Sequence, residues 1–308
     1  MTKHARKNRT LGPPRHTERG AAILITLVVV ALASVIGLSM IERAQKSVAR
    51  TQAVVDQATV HRLSDGMVVL AKQALLELQT DDGRLPSGVD LSEWTPPYRV
   101  PGGVVQGRLI DQSGRFNLNT LIHPEPAQRL HARQVFERLL ISLNLNQRLA
   151  VEMAAWLEAP RAQGAASRVA LMHVSELIEM PRMDRQSQEV LAPWVSVLPT
   201  PELSVNVNQT SPRVLSSFVE ALTLADAEQI LGDAPFERID DFWAHPVWTG
   251  RETTSKERAS LMVRSQWYLA QTRVSLDREG EVVSHDAFRL ISATGSGYDF
   301  RYVSQGQP

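Results

Sequence analysis

From Ala21 to Ile41 the chain carries no charged side chain across the 21 residues AAILITLVVVALASVIGLSMI. At about 1.5 Å of rise per residue, a helix of that length spans roughly 31 Å, the thickness of a bilayer's hydrocarbon core. Residues 42 to 79 contain no proline and a single glycine, Gly66. In that stretch Val60, Leu63, Met67, Leu70, Ala74 and Leu78 recur at three- and four-residue spacings, which predicts that the helix continues out of the apolar run. The segment Glu42 to Thr59 is more polar and is expected to be an exposed stalk, with only the later turns packed. Asp81-Asp82-Gly83 is the expected stop.

The pattern then changes twice more. After a loop rich in proline and glycine (Pro86, Pro96, Pro97, Pro101, Gly102, Gly103), VVQGRLIDQSGRFNLN reads as two strands around a turn at Gln112-Ser113-Gly114. Between about residues 124 and 265 the period is helical, starting with Val135, Phe136, Leu139, Leu140 and Leu143, then Leu149, Met153 and Trp156. Ser211 followed by Pro212 has the form of an N-cap and first helical residue. Thr223 with Asp226, and Thr254 with Glu257, have capping-box spacing. Strand alternation returns in QWYLAQTRVSLD and EVVSHDAFRLISA, joined around Arg278-Glu279-Gly280, and these strands are expected to rejoin the first pair in one sheet. The fold class is α+β: a long amino-terminal helix packed on an antiparallel sheet, with an all-helical subdomain inserted into the sheet's chain.

Charge narrows the function classes. Lys plus Arg (33) equals Asp plus Glu (33), so no global field gathers nucleic acid or anionic lipid. With no cysteine, disulfides and thiolate sites are excluded, while an oxidising compartment is still permitted. Lys3, Arg6, Lys7, Arg9, Arg15 and Arg19 precede the apolar run against one acid, Glu18, so the positive-inside rule holds the amino terminus in the cytoplasm. Gly12, Pro13 and Pro14 make residues 2–20 an unstructured processing leader outside the fold. A buried core helix rarely avoids every charge for so long. Ala31-Leu32-Ala33 has the form of an ordinary signal-peptidase site, but apolar character continues through Val35, Ile36, Leu38, Met40 and Ile41, which fits a retained anchor better.

The junction Arg19-Gly20-Ala21-Ala22-Ile23 resembles a class III prepilin site. That resemblance implies cleavage after Gly20 by prepilin peptidase and methylation of the new amine of Ala21. Most prepilins carry glutamate at the fifth mature position, which here is Ile25. RLIDQSGRFNLNTL is similar to the segment following the first strand of minor pseudopilin K of type II secretion systems, the general secretion pathway protein K family. HVSELIEM (173–180) resembles that family's short serine-capped helix, and ELSVNVNQTSPRVLSSF (202–218) its strand-then-helix element. The likeness covers roughly residues 19 to 303 and is weakest over 156 to 171. It implies a leader at 1–20, a membrane helix at 21–41 and its periplasmic continuation at 42–79. The pilin-like sheet would come from 80–123 and 266–303, and the helical subdomain from 124–265.

The family's role is that of a non-enzymatic tip subunit of the pseudopilus in the inner membrane, with its domain in the periplasm. An uncharged Ile25 suits that place, because the usual carboxylate faces a neighbour's terminal amine and a tip subunit has no subunit ahead of it. Minor pseudopilins I and J and prepilin peptidase are the implied partners, with the outer-membrane secretin or secreted substrates beyond them. Family members commonly bind calcium in an acidic loop after a tryptophan-containing helix. Here Trp156 to Gly164 holds one carboxylate, Glu158, which cannot supply six to eight oxygens; no cofactor or metal ligand is carried over, and Asp240-Asp241 and Asp277 with Glu279 read as solvated surface. His123, His131, His173, His245 and His285 lack zinc spacing, and Ser113, Ser211 and Ser296 fit turns and caps without a nucleophile elbow. Gly295-Ser296-Gly297 reads as a terminal turn.

Two rival readings come from other classes. VNVNQTSPRVLSSFVEALTLADAEQIL resembles a helix-hairpin-helix, as in a membrane-anchored DNA-binding competence or pilus protein. Its turn, Leu222-Thr223-Leu224-Ala225, has no glycine to admit a phosphate, and Arg213 is outnumbered by Glu220, Asp226 and Glu228, so no nucleic acid is expected. An anchored hydrolase would need a site assembled only in three dimensions.

Overall fold

The computed structural model describes residues 16–78, 91–159, 170–278, 281–294 and 297–306. The chain divides into two compact units, Met1–Thr59 and Val60–Pro308. One helix, α1 (His16–Leu78), supplies the described part of the first unit and enters the second. It starts two residues after Pro13-Pro14, so residues 16–20, expected to be unstructured leader, are helical. Nothing in HTERG breaks a helix once the prolines are behind it. The expected stop at Asp81-Asp82-Gly83 lies outside the described residues.

In the second unit, β1 (Tyr98–Val100) returns through Gly102 into antiparallel β2 (Gly103–Asp111). Gly102 has φ of +82°, a turn conformation that residues with a Cβ rarely adopt. The hairpin expected around Gln112-Ser113-Gly114 does not form. Its second arm is the two-residue β3 (Phe116–Asn117), which pairs in parallel with β4 (Val195–Ser196). The Asp111 carboxylate accepts the Ser113 N–H at 2.7 Å and closes a local turn, while Phe116 stacks on Phe136 at 5.0 Å between centroids. Burial of Phe116 draws the chain out of the sheet and into a second core.

That core is built by α2 (Pro126–Ser142), α3 (Arg148–Glu158), α4 (Arg185–Leu191), α5 (Pro212–Phe218), α6 (Leu224–Gly232), α7 (Ile239–Trp243) and α8 (Ser255–Ala259). Phe136, Leu139, Met153, Phe218, Ile230 and Phe242 are fully buried within it. A two-residue parallel bridge joins β5 (Val205–Asn206) to β6 (Leu261–Met262). The expected caps form: Ser211 accepts from the Val214 N–H, with Pro212 first in α5. Thr223–Asp226 and Thr254–Glu257 each make both arms of a capping box. In HVSELIEM the cap is His173, not a serine. Its Nδ1 accepts the Ser175 N–H at 3.2 Å, and Glu176 accepts the His173 N–H at 2.7 Å. An imidazole nitrogen two bonds from Cβ reaches the same amide that an asparagine oxygen would.

The chain then returns to the sheet as β7 (Trp267–Arg278), β8 (Glu281–Thr294) and β9 (Gly297–Gly306), in the order β1-β2-β7-β8-β9, antiparallel throughout. Most of the expected turn at Arg278-Glu279-Gly280 lies outside the described residues, and Gly297 opens a fifth strand that periodicity did not predict. Within this unit α1 lays Val60, Ser64, Val68 and Leu75 against Val105, Leu109, Ala270, Val274 and Ile291. Burying each of these aliphatic side chains contributes about 1.5–3 kcal/mol. Leu70, expected in this seam, is 59% exposed; the four-residue steps 60-64-68 rotate the buried stripe away from it. A Cβ at Gly107 would meet Met67 Cε at 2.5 Å, the flexible tip of a side chain that can turn aside. Arg289, only 1% exposed, reaches from β8 to Asp65 of α1 at 3.2 Å.

Candidate functional site

Among the described residues, the apolar part of α1 is exposed. Leu24, Ile25, Leu27, Val28, Val29, Val30, Leu32, Val35, Ile36, Leu38, Met40 and Ile41 are all exposed, and mean hydropathy reaches 2.7 over a window none of which is buried. Contiguous apolar surface on that scale exceeds what a soluble protein leaves in water. Its polar atoms are closed internally: Ser34 Oγ donates to Val30 O and Ser39 Oγ to Ile36 O, each at 2.8 Å. A helix whose hydroxyls return to its own carbonyls presents lipid with little that needs water. Ile25 is 61% exposed on this surface, an uncharged position available to a neighbouring helix or a lipid chain. Gly20 and Ala21 lie in the first turns of α1.

The strings that carried the resemblance prove to be stitches of backbone. In GRFNLN, Asn117 donates to Thr200 O at 2.6 Å and accepts from the Leu198 N–H at 3.0 Å. Asn119 donates to Leu171 O and Leu198 O at 2.9 and 2.8 Å and accepts from the Leu171 N–H at 2.8 Å. In VNVNQT, Asn206 donates to Ser265 Oγ at 2.7 Å, and Asn208 clips Phe236 through both its backbone groups. An amide side chain offers a donor and an acceptor on one flat group, so it can complete a strand edge that lacks a partner. The paired spacing N-x-N in both strings is the signal that could have revealed this role from sequence.

Sheet and subdomain meet at a polar junction. Ser113 Oγ accepts the N–H groups of Gln266 and Trp267 at 2.9 and 3.0 Å, and Ser113 O accepts from the Asn206 N–H at 2.8 Å. Asp111 accepts from Ser265 Oγ as well as from the Ser113 N–H. Burial pushes the Asp111 carboxyl above its ordinary range despite these hydrogen bonds. Arg115 follows at once, its guanidinium pulled down by burial, with the Asp111 charge opposing the shift. Nothing in the spacing of these residues foretold that they converge.

The helix-hairpin-helix candidate turns inward. Arg213, its nearest cation, donates to Ser142 O within the subdomain. The amide of Glu220, just before the hairpin turn, donates to the Glu257 carboxylate at 2.9 Å. Leu222 is buried. Among the described residues no three His, Cys, Asp or Glu side chains converge as metal ligands. Asp241 caps the Arg238 N–H and Asp240 pairs with Arg238 at 3.0 Å. Glu158 lies 3.5 Å from Arg129 Nε; residues 160–169 of the loop weighed for calcium lie outside the described residues.

A single amino-terminal apolar helix whose later turns pack on an antiparallel sheet defines a pilin-like protein. Two family models, both for type II secretion system protein K, match residues 114–200 and 205–264. The type II secretion system protein K of Pseudomonas aeruginosa is 29% identical over 304 residues, covering 88% of this chain and 89% of that protein. The protein of the same name from Klebsiella pneumoniae is 27% identical over 289 residues, covering 83% and 87%. The fold matches a chain in the crystal structure of the GspK-GspI-GspJ complex from the enterotoxigenic Escherichia coli type 2 secretion system. That match has a TM-score of 0.64 and 20% identity, and it covers 84% of this chain and 99% of that one. Along most of its length the chain is similar to type II secretion system protein K, and these matches support a minor pseudopilin of type II secretion.

Proposed function

We propose that this pseudopilin stands at the tip of the pseudopilus, anchored in the inner membrane by residues 21–41, with its amino terminus in the cytoplasm and its sheet and helical subdomain in the periplasm. The observation that carries this reading is the bare, uncharged surface from Leu24 to Ile41 with Ile25 on it. A carboxylate at membrane depth costs about 2.5–3.5 kcal/mol on insertion scales and is tolerated where an amine faces it. Isoleucine at this position removes both the cost and the pairing, which suits a subunit with none ahead of it. Prepilin peptidase would cut after Gly20 and methylate Ala21.

Minor pseudopilins I and J are the proposed partners, a reading supported by the presence of GspI and GspJ with the similar chain in the solved complex. Lateral packing of apolar helices would supply the contacts inside lipid, and the helical subdomain would face the secretin or secreted protein. The role is assembly without catalysis and without a calcium ligand set in the 156–164 loop. Affinity purification of the full chain from membranes tests the partnership. Recovery of pseudopilins I and J in stoichiometric amounts supports it, and their absence from a chain that is itself membrane-bound removes it.

A further inference from the structure

His131 of α2 is 8% exposed, and its Nε2 is enclosed with no hydrogen-bond partner among the described residues. It lines a cleft of about 330 Å³ whose walls come from α2, from the connection between α5 and α6, and from α8. The charged residues around it are Arg138 of α2, Glu220 of the connection, and Lys256 and Glu257 of α8. Both cations are held by carbonyl oxygens: Arg138 Nε donates to Ser217 O at 2.7 Å, and Lys256 Nζ to Ala127 O at 3.4 Å. Glu257, 6% exposed, already accepts from the Glu220 N–H at 2.9 Å, the Thr254 N–H at 2.7 Å and the Thr254 hydroxyl at 2.9 Å. These bonds cap α8 and tie it to the α5–α6 connection.

A proton on His131 finds no waiting acceptor here. The imidazolium would be buried beside two cations, and Glu257, the buried carboxylate on the cleft wall, could answer it only by releasing Thr254 or Glu220. Burial, then the Arg138 and Lys256 charges, hold the imidazole below its ordinary value of 6.5, with Glu257 opposing the shift. A base whose pKa is lower in the closed state favours closure above pH 6.5, and closure weakens as pH falls below that value.

We propose that His131 is an acid-sensitive latch: neutral, it lets α8 and the α5–α6 connection close on α2, and protonated, it opens that contact by drawing Glu257 off the Thr254 and Glu220 amides. From α8 the chain runs directly through β6 to Ser265 and β7, so opening loosens the crossing from the helical subdomain to the sheet. The latch lies within the second unit and is independent of where the rod of α1 resides, so its failure would leave the anchored-pseudopilin reading untouched.

The test is hydrogen exchange of the full chain in detergent micelles, read by mass spectrometry at about pH 7.5 and about pH 5.5 with intrinsic exchange rates corrected for pH. If only the open state takes the proton, at the ordinary imidazole value of 6.5, the opening constant rises by at most about tenfold across this range. Peptides carrying the amides of Glu220 and of residues 254–260 are expected to lose protection by about three- to tenfold in the wild type. His131→Gln, which cannot take the proton, is expected to change by less than about twofold. Lys256→Gln removes a neighbouring cation and lets the closed state accept the proton more readily, so its loss is expected to be smaller than the wild type's; it carries the test if His131→Gln does not fold. The readout is the ratio between the two pH values within each variant, which a uniform change in stability does not move. Equal protection of the wild type at both pH values, the same acid-induced loss in His131→Gln, or a larger loss in Lys256→Gln than in the wild type would each overturn the proposal.

Discussion

Gly114→Ala tests the junction most sharply, because the obstacle is backbone on both sides. A Cβ at Gly114 would lie 2.5 Å from the Gln209 carbonyl carbon, closer still to its oxygen, and 3.0 Å from the Thr210 nitrogen. Ordinary contact at these atoms needs roughly another 1 Å of separation. The two segments cannot drift apart freely. The Asn206 N–H donates to Ser113 O at 2.8 Å, and Ser113 Oγ holds the amides of Gln266 and Trp267. Overpacking of this kind costs about 3 kcal/mol, at the upper end of its usual range because no flexible side chain can yield. The unfolded chain's loss of freedom on gaining a methyl group offsets about 0.5 kcal/mol of that. A net loss of about 2.5 kcal/mol corresponds to a fall in Tm of roughly 5–10 °C for a domain of this size. Gly66→Ala is the matched control, since its Cβ meets nothing within 4 Å on α1. In a helix interior that change should stabilise by about 0.5–1 kcal/mol. Thermal unfolding of both variants in the same micelles, followed by tryptophan fluorescence, gives the comparison. If Gly114→Ala melts with the wild type, the close crossing of residues 113–115 over 206–210 is wrong.

Ser113→Ala removes the oxygen that accepts two part-buried amides and should destabilise by about 1–2 kcal/mol, read by the same melting experiment; an unchanged Tm would contradict that role. Hydrogen bonding to Arg251, and then to Thr223, lowers the Asp226 carboxyl from 3.8 to about 2. Its stabilisation is therefore complete above pH 3.8 and is lost as pH falls towards 2, so the Tm difference between wild type and Asp226→Asn should be present at pH 6 and shrink by pH 2.5. A gap that grows on acidification would reverse the assigned sign. Ile25→Glu is expected to reduce secretion in a complemented strain while the protein stays in the membrane; full secretion would show that an uncharged fifth position is not required. Calcium chloride and a chelator should give the same Tm, and a rise with calcium would point to ligands outside the set considered.

Local chemistry made parts of this fold legible in the sequence. The caps at Ser211, Thr223 and Thr254 are set by the residue and its third neighbour, and β7 and β8 alternate over long enough runs to declare themselves. The apolar run needs no partner to be recognised. What failed depended on contacts distant in sequence. The second arm of the expected hairpin was claimed by Phe136 and by β4, which lies about eighty residues downstream. Leu70 had the right spacing for the seam, but the buried stripe runs through Val60, Ser64 and Val68 in four-residue steps that leave Leu70 outside it. His173 replaced a serine as cap because the geometry of Nδ1, not the residue's usual habits, decided the matter. Asp111 gave no motif at all, since the hydroxyl that engages it belongs to Ser265, far along the chain.

Central to the proposed function is the retention of the apolar rod of α1 in the membrane as a processed pseudopilin helix. Mass analysis of the amino terminus of the membrane-bound protein, from cells with and without prepilin peptidase, tests it directly. A methylated chain beginning at Ala21, found only when the peptidase is present, is the predicted result. A chain beginning at Ser34, or a protein recovered free of membrane in the periplasm, would contradict it.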